Sequence, residues 1–118
     1  MLRKANRLRR SWEFRQARKR GRSLACPTMV LHAYRRPGEA VRAGFSVSKK
    51  VGKATVRNRV KRLMREGLRA RLVQVKPGTD LIFSARPAAA TATFGEIRQA
   101  MEELLRRGSL LQESTGHA

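Results

Sequence analysis

The clearest periodic pattern of apolar residues lies in the middle of the chain, between residues 55 and 72. Apolar side chains recur there at helical spacing, at Val56, Val60, Leu63, Met64 and Leu68. Positions three and four apart share one face of a helix, so the pattern predicts an amphipathic helix with one buried side. The opposite side is basic. Its polar residues are Asn58, Arg62, Arg65 and Arg69, with Arg59 at the flank.

Three shorter stretches have the pattern of strands. Residues 41–48 alternate between apolar and polar positions, which predicts a strand with Val41, Ala43, Phe45 and Val47 on its packed face. Residues 28–34 are rich in β-forming side chains and lie between Pro27 and the turn at Pro37-Gly38. A third strand is predicted over residues 80–85, directly after the break at 76–78.

Two more helices are predicted near the ends of the chain. Ser11 is a candidate N-cap for a helix through about Arg20, with Trp12, Phe14 and Ala17 available to pack and Gly21 ending it. Thr93 and Glu96 match a capping box that opens a helix ending at Gly108, after a loop at 88–92. Residues 1–111 are expected to form a single domain, and the aperiodic residues 112–118 a disordered tail.

The charge of the chain narrows its possible partners. There are 28 Lys and Arg residues against 8 Asp and Glu, a net charge of +20, which calls for a polyanionic partner. Residues 1–22 hold ten of these cations and residues 42–71 hold eleven, with one acid in each stretch. No apolar run has the roughly 20 residues of a membrane span. With no secretory signal pattern and Cys26 as its only cysteine, the chain is expected in a reducing cytoplasm.

The catalytic motifs that the chain approaches are incomplete. Gly52-Lys53 is placed like a phosphate-binding loop, but Val47 stands at the first glycine position and Ala54 replaces the metal-binding hydroxyl. Only His32 and His117 offer imidazole groups, and neither a zinc constellation nor a cluster of acids for magnesium is visible. The sequence therefore predicts a binding protein without catalytic residues or a metal site of its own.

The most specific segment joins a strand, a basic loop and the basic helix. It contains Ser-Lys-Lys-Val-Gly at 48–52 and Arg-Asn-Arg-Val-Lys-Arg-Leu at 57–63. Arginine forks suit phosphate oxygens, and asparagine offers both a donor and an acceptor to a base or 2′-hydroxyl. These motifs resemble the signature of the protein component of bacterial ribonuclease P, and the resemblance extends over roughly residues 4–110.

The resemblance implies an α+β fold. It is a two-layer α/β sandwich with a mixed sheet in the order α-β-β-α-β-α, similar to the second domain of ribosomal protein S5. It also implies a left-handed βαβ crossover, whereas the residues alone favour the usual right-handed connection.

The resemblance further implies that the protein assists a catalytic RNA that cuts the 5′ leader from precursor tRNA. The RNA subunit holds the catalytic Mg²⁺, and one protein monomer serves each RNA. Contacts to the RNA subunit are implied for Lys53, Arg57, Asn58, Arg59, Lys61, Arg62, Arg65 and Arg69. Contacts to the single-stranded leader are implied for Phe14, Arg18, His32, Ser46, Ser48, Lys49, Lys50 and Arg86.

Some alternatives stay open at this point. Arg18 and His32 stand where many members of that family have aromatic residues, so stacking in the leader groove is expected to be weaker. Phe14 also suits a core position, and His32 suits a strand histidine with its hydrogen bonds satisfied. Cations such as Arg36 are expected to be solvated. A structural RNA-binding protein of the ribosomal type is the alternative function, and a DNA-binding regulator lacks the second helix of a helix-turn-helix.

Overall fold

The structure, a computed structural model, describes residues 3–112. Its helices are α1 (Ser11–Arg20), α2 (Ala54–Arg69) and α3 (Phe94–Arg107), and its strands are β1 (Arg22–Ala25), β2 (Met29–Arg35), β3 (Arg42–Ser46) and β4 (Thr79–Ala85). The strands form one mixed sheet in the order β1-β2-β4-β3, in which only β3 and β4 are parallel. The α+β class is confirmed, and the β3-α2-β4 unit is the expected crossover. Its handedness stays a prediction.

The predicted elements are present with shifted ends. The strands predicted at 28–34, 41–48 and 80–85 correspond to β2, β3 and β4. The helix predicted over 55–72 ends at Arg69, and Leu72–Gln74 forms a short 3-10 turn instead. The loop predicted at 88–92 is largely a 3-10 turn over Pro87–Thr91, and strand β1 was not predicted at all.

The main core lies between the sheet and helices α2 and α3. Its fully buried side chains come from both layers and include Leu31, Leu81, Phe83, Val60, Met64, Leu68, Ile97, Met101 and Leu104. The predicted inner face of β3 is confirmed, since Ala43 is buried and Phe45 stacks on Phe83 with ring centroids 6.1 Å apart. Burial of these side chains is the dominant favourable term in the folding of the domain.

Helix α1 packs on the opposite face of the sheet. A second cluster forms there from Leu8, Ala17 and Ile82, with Phe14 and Tyr34 packed against it. Phe14 comes so close to β3 that a Cβ on Gly44 would lie 2.4 Å from its Cζ, so any larger residue here would displace the ring. The α1 face of the sheet therefore has a small apolar core of its own.

Two expectations for α1 were wrong. Ser11 is the first helical residue and Arg10 is the N-cap. The carboxylate of Glu13 reaches back over the helix start, where its Oε1 accepts from the backbone N–H groups of Arg9 and Arg10 at 3.0 Å each. Trp12 is 48% exposed and does not pack in the core. Position 12 is in the first turn of the helix, on a side that faces away from the sheet cluster.

The ends of the described chain are attached to the domain. Leu8 N donates to Ala43 O at 2.9 Å and Asn6 Nδ2 to Val41 O at 2.8 Å, so residues 6–8 run along the free edge of β3. The capping box of α3 is confirmed by reciprocal hydrogen bonds between Thr93 and Glu96. Gln112, the first residue of the predicted tail, donates to Gln74 and Val75, and residues 113–118 lie outside the described part.

Candidate nucleic-acid interface

The solvent side of α2 carries a continuous set of cations. We call it the α2 cationic face and define it by Lys53, Arg57, Asn58, Arg59, Lys61, Arg62, Arg65 and Arg69. The helix buries Val60, Met64, Gly67 and Leu68 against the core, which turns this set outward. Lys53, Asn58, Arg62 and Arg69 are exposed, and the other four are partly buried.

Very little negative charge compensates this face. Within residues 3–112 the only acid within 4 Å of a cation on the α2 cationic face is Glu66, which meets Arg69 at 3.4 Å. That pair is exposed on both sides and therefore contributes little to stability. The face retains a strong positive field that favours a polyanion.

Two of these arginines are held by backbone carbonyl groups. Arg57 donates through Nε to Gly52 O at 3.1 Å. Arg59 donates to Ala90 O at 3.2 Å and Ala92 O at 3.1 Å, which fastens the turn before α3 to α2. A carbonyl orients a guanidinium group without neutralising its charge, so both side chains still present a cation. Arg59 already uses two of its N–H donors on these carbonyls and has fewer left for RNA.

The second surface is the part of the α1 face of the sheet that α1 leaves uncovered. Ala25, Val30, Ser84 and Ser46 face each other across all four strands, and Ser23, His32, Ile82 and Gly44 form the adjacent row. The first row is half-buried or exposed and has only small or short side chains. In the second row Ile82 and Gly44 are buried, and Ser23 and His32 are accessible. We call the first row, together with Ser23 and His32 and with Phe14 and Arg18 of α1 as its wall, the sheet groove.

The cations predicted for the leader lie at one end of the sheet groove. Because β3 and β4 are parallel, their carboxyl ends reach the same end of the sheet. Ser48, Lys49 and Lys50 follow β3 and are exposed, and Arg86 directly follows β4. Arg86 donates to Cys26 O at 3.2 Å, which fixes its guanidinium group beside the groove without an acidic partner. The structure thus brings together predicted residues that are almost forty positions apart.

The wall of the groove has an unusual composition. The guanidinium carbon of Arg18 lies 5.8 Å from the ring centroid of Phe14, a distance that allows a cation–π interaction. His32 is half-buried, and its Nδ1 is 3.0 Å from Ser23 Oγ. Burial, and then the charge of Arg18, lower the pKa of His32, which favours the neutral form of its ring. Phe14 and His32 therefore have the packing roles that the sequence allowed, and leader contact by either stays a prediction.

A buried ion-pair network, which sequence reasoning did not detect, holds α1 to the sheet. Asp80 is fully buried and accepts from Arg42 Nε at 2.9 Å, Arg42 Nη2 at 2.8 Å and Arg36 Nε at 2.9 Å. Arg42 also pairs with Glu13 of α1. Arg36 was expected to be solvated, and that was wrong, since it is part of this network. The sequence indicated only that Arg42 lies on the polar side of the strand predicted at 41–48, and it did not indicate the partners of Arg42.

The protonation of the network follows from its contacts. Burial acts to raise the pKa of Glu13, but the N–H groups of Arg10 and Arg9 and the charge of Arg42 lower it overall. The hydrogen bond with Asp80, opposed by burial, raises the pKa of Arg42. The stabilisation by Glu13 is thus complete above its ordinary pKa and is lost as the pH falls through the lowered value.

The described residues do not form a metal site. Within residues 3–112 no three His, Cys, Asp or Glu side chains come together, and the buried carboxylates of Asp80 and Glu13 already accept from arginines. This donor set does not fit Mg²⁺, which prefers carboxylate oxygens free of such partners together with water. Among the described helices, none is long and apolar enough to cross a membrane.

Comparison with known proteins identifies relatives over nearly the whole chain. The family model described as Ribonuclease P matches residues 2–109. The ribonuclease P protein component of Bacillus velezensis is 40% identical over 115 residues, 97% of this chain and 98% of the relative. That of Alkaliphilus metalliredigens is 39% identical over 106 residues, 90% of this chain and 96% of the relative.

Solved structures give the same result. The Staphylococcus aureus RNase P protein superimposes with a TM-score of 0.84 at 30% identity and covers 92% of this chain and 100% of its own. The Thermotoga maritima RNase P protein has a TM-score of 0.77 at 30% identity, with 86% of this chain and 96% of its own covered.

Proposed function

Because this chain belongs to the ribonuclease P protein family, we propose that it is the protein subunit of ribonuclease P and promotes 5′ maturation of tRNA. In this proposal the α2 cationic face binds the catalytic RNA, and the sheet groove binds the single-stranded 5′ leader of precursor tRNA. Cleavage and the Mg²⁺ that it requires belong to the RNA. The protein acts as a monomer, one per RNA, in the cytoplasm.

The observation that carries the proposal is the nearly uncompensated α2 cationic face. Binding RNA there releases counterions from the phosphates, which supplies affinity in proportion to the number of contacts. Arg59 and Arg57 are already oriented by carbonyls, so less rotamer entropy is lost when they meet phosphate oxygens.

The sheet groove fits a single strand better than a duplex. Its floor of small side chains lets a flexible strand approach the sheet, while Phe14 and Arg18 offer planar groups on which unstacked bases can lie. Lys49, Lys50 and Arg86 provide cations for the phosphates at one end.

The first experiment is reconstitution. The purified chain, added to ribonuclease P RNA at low Mg²⁺, should restore cleavage of precursor tRNA, and affinity for precursor tRNA should rise as the leader is lengthened by several nucleotides. A structural RNA-binding protein would not respond to leader length. Absence of any stimulation would reject the proposed function.

A second experiment tests the α2 cationic face by salt dependence. Arg62→Gln should lower the slope of log affinity against log salt by roughly 0.7–0.9 for one lost phosphate contact. Arg106→Gln is the matched control because it removes the same charge from an exposed position on α3, where Arg106 pairs with Glu102 at 3.3 Å. Equal slopes for the two variants would make Arg62 an ordinary surface charge.

A further inference from the structure

The exposed indole of Trp12 lies outside both surfaces described above. Trp12 is 48% exposed in the first turn of α1, although tryptophan is among the residues that gain most from burial. Single exposed apolar residues are common on protein surfaces, so exposure by itself assigns no role. The neighbours of Trp12 make the difference.

Those neighbours are cations that form no ion pair within 4 Å in the described part of the chain. Arg9 and Arg10 are exposed, and their side chains make no hydrogen bond or ion pair with any residue in the range 3–112. The acid that lies closest in sequence, Glu13, is buried and turned inward to Arg42 and to the backbone of residues 9 and 10. The surface around the indole therefore has an excess of positive charge, since Glu13, the acid that interacts with Arg10, is already bound by Arg42 and by backbone N–H groups.

A cavity of about 420 Å³ connects these groups, and its lining includes Trp12, Arg9, Arg10, Arg42 and the acid Glu13. That volume is near the lower end of the roughly 300–1,000 Å³ of ligand sites, which suits one nucleotide rather than several. The cavity opens at the amino end of β3. The sheet groove reaches β3 at Ser46, four residues and about 13 Å further along the strand than Arg42.

We propose that Trp12, Arg9 and Arg10 form a separate site for one unpaired nucleotide of RNA. The base stacks on the indole, and the phosphate lies at the guanidinium groups. Stacking on an aromatic ring accepts any base, and arginine forks fit phosphate oxygens, so the two kinds of group together select a nucleotide over a simple anion.

A second exposed aromatic residue, Phe94, differs from Trp12 in the charge of its surroundings. Phe94 is 40% exposed in the first turn of α3, but the guanidinium carbon of Arg98 lies 5.8 Å from its ring centroid and Glu96 is close in sequence. The surroundings of Phe94 are thus mixed in charge, unlike those of Trp12. Phe94 is the matched control for Trp12.

Fluorescence gives a direct test, because Trp12 is the only tryptophan of the chain. The full-length protein is titrated with a five-nucleotide oligoadenylate and, at the same salt, with an abasic oligomer of equal length and charge. We expect the oligoadenylate alone to quench the indole strongly. Equal quenching by both oligomers, or none by either, would overturn the proposal. A third titration uses anionic lipid vesicles, and a shift of the indole emission with vesicles but not with the oligoadenylate would also overturn it.

Variants then measure the contribution to binding. Trp12→Ala should weaken RNA affinity about 5- to 150-fold, the range for the loss of one stacked base, and Trp12→Phe should retain most of it. Phe94→Ala should bind like the wild type. Because Trp12 is exposed, urea midpoints should be unchanged, which separates loss of binding from loss of folding.

Separate titrations with ribonuclease P RNA and with precursor tRNA identify which RNA supplies the nucleotide, and quenching by either supports the site. Unchanged affinity of Trp12→Ala for both RNAs, with the leader-length response intact, would refute this site and leave the proposed function standing.

Discussion

Replacing Asp80 by asparagine tests whether the buried ion-pair network stabilises the fold. Asp80→Asn keeps the shape of the side chain but removes the negative charge that faces Arg36 and Arg42. The two arginine side chains are only 15% and 22% exposed, so water cannot fully compensate the loss. Removing one partner of a buried pair costs about 3–5 kcal/mol, and the residual exposure of the arginines places the expected loss near 3 kcal/mol.

This loss is large compared with the stability of a domain of this size. Small domains have about 0.05–0.15 kcal/mol of stability per residue, so 3 kcal/mol is a substantial fraction of the total. The unfolding entropy of about 2.1 cal/mol/K per residue gives roughly 0.25 kcal/mol/K for this chain, which converts the loss into a Tm decrease of about 12 °C. Urea unfolding followed by circular dichroism at pH 7 measures the same quantity independently.

The control is Glu66→Gln, which changes the net charge by the same amount but affects an exposed pair with Arg69. Exposed pairs contribute about 0–1 kcal/mol, so its midpoint should barely move. If Asp80→Asn lost no more stability than Glu66→Gln, the cost of burying the network would offset the attraction within it. The reasoning given for the network would then be refuted.

Two further changes act on the wall of the sheet groove. Gly44→Ala places a methyl group 2.4 Å from Cζ of Phe14 and should destabilise the protein by about 1–3 kcal/mol in urea unfolding. The control is Gly95→Ala, which should cost no stability because its Cβ meets nothing closer than 3.9 Å. Similar urea midpoints for the two variants would contradict the close packing of Phe14 on Gly44. Arg18→Gln should raise the pKa of His32, since it removes a positive charge beside the ring. An NMR titration of the His32 ring measures this pKa, and an unchanged value would mean that Arg18 does not act on it.

The pattern of apolar residues predicted most of the fold because most elements have one buried face. Helix α2 and strand β3 bury one side each, and their periodicity is visible in the sequence. Strand β1 was missed because it is an edge strand of four residues, Arg22–Ala25, of which only Leu24 is even half-buried. An edge strand is specified by its pairing with β2, and pairing leaves little trace in composition.

The predicted interface was accessible from sequence for a different reason. The α2 cationic face lies on one helix, where spacing along the chain translates directly into position on a surface. Arg59 contacts Ala90 and Ala92, which lie 31 and 33 residues further along the chain. Arg42 contacts Asp80, which lies 38 residues further along. Such contacts depend on how the elements assemble, and no local pattern predicts them.

The segment before α1 has a practical consequence for anyone who shortens or tags this protein. Residues 6–8 occupy part of the outer edge of β3, through the hydrogen bonds of Asn6 and Leu8. A shortened chain that began at α1 would leave that edge open to pairing with a neighbouring molecule, the route by which unprotected sheets form fibrils and precipitates. A purification tag is therefore better placed after residue 112 than in place of the first eight residues.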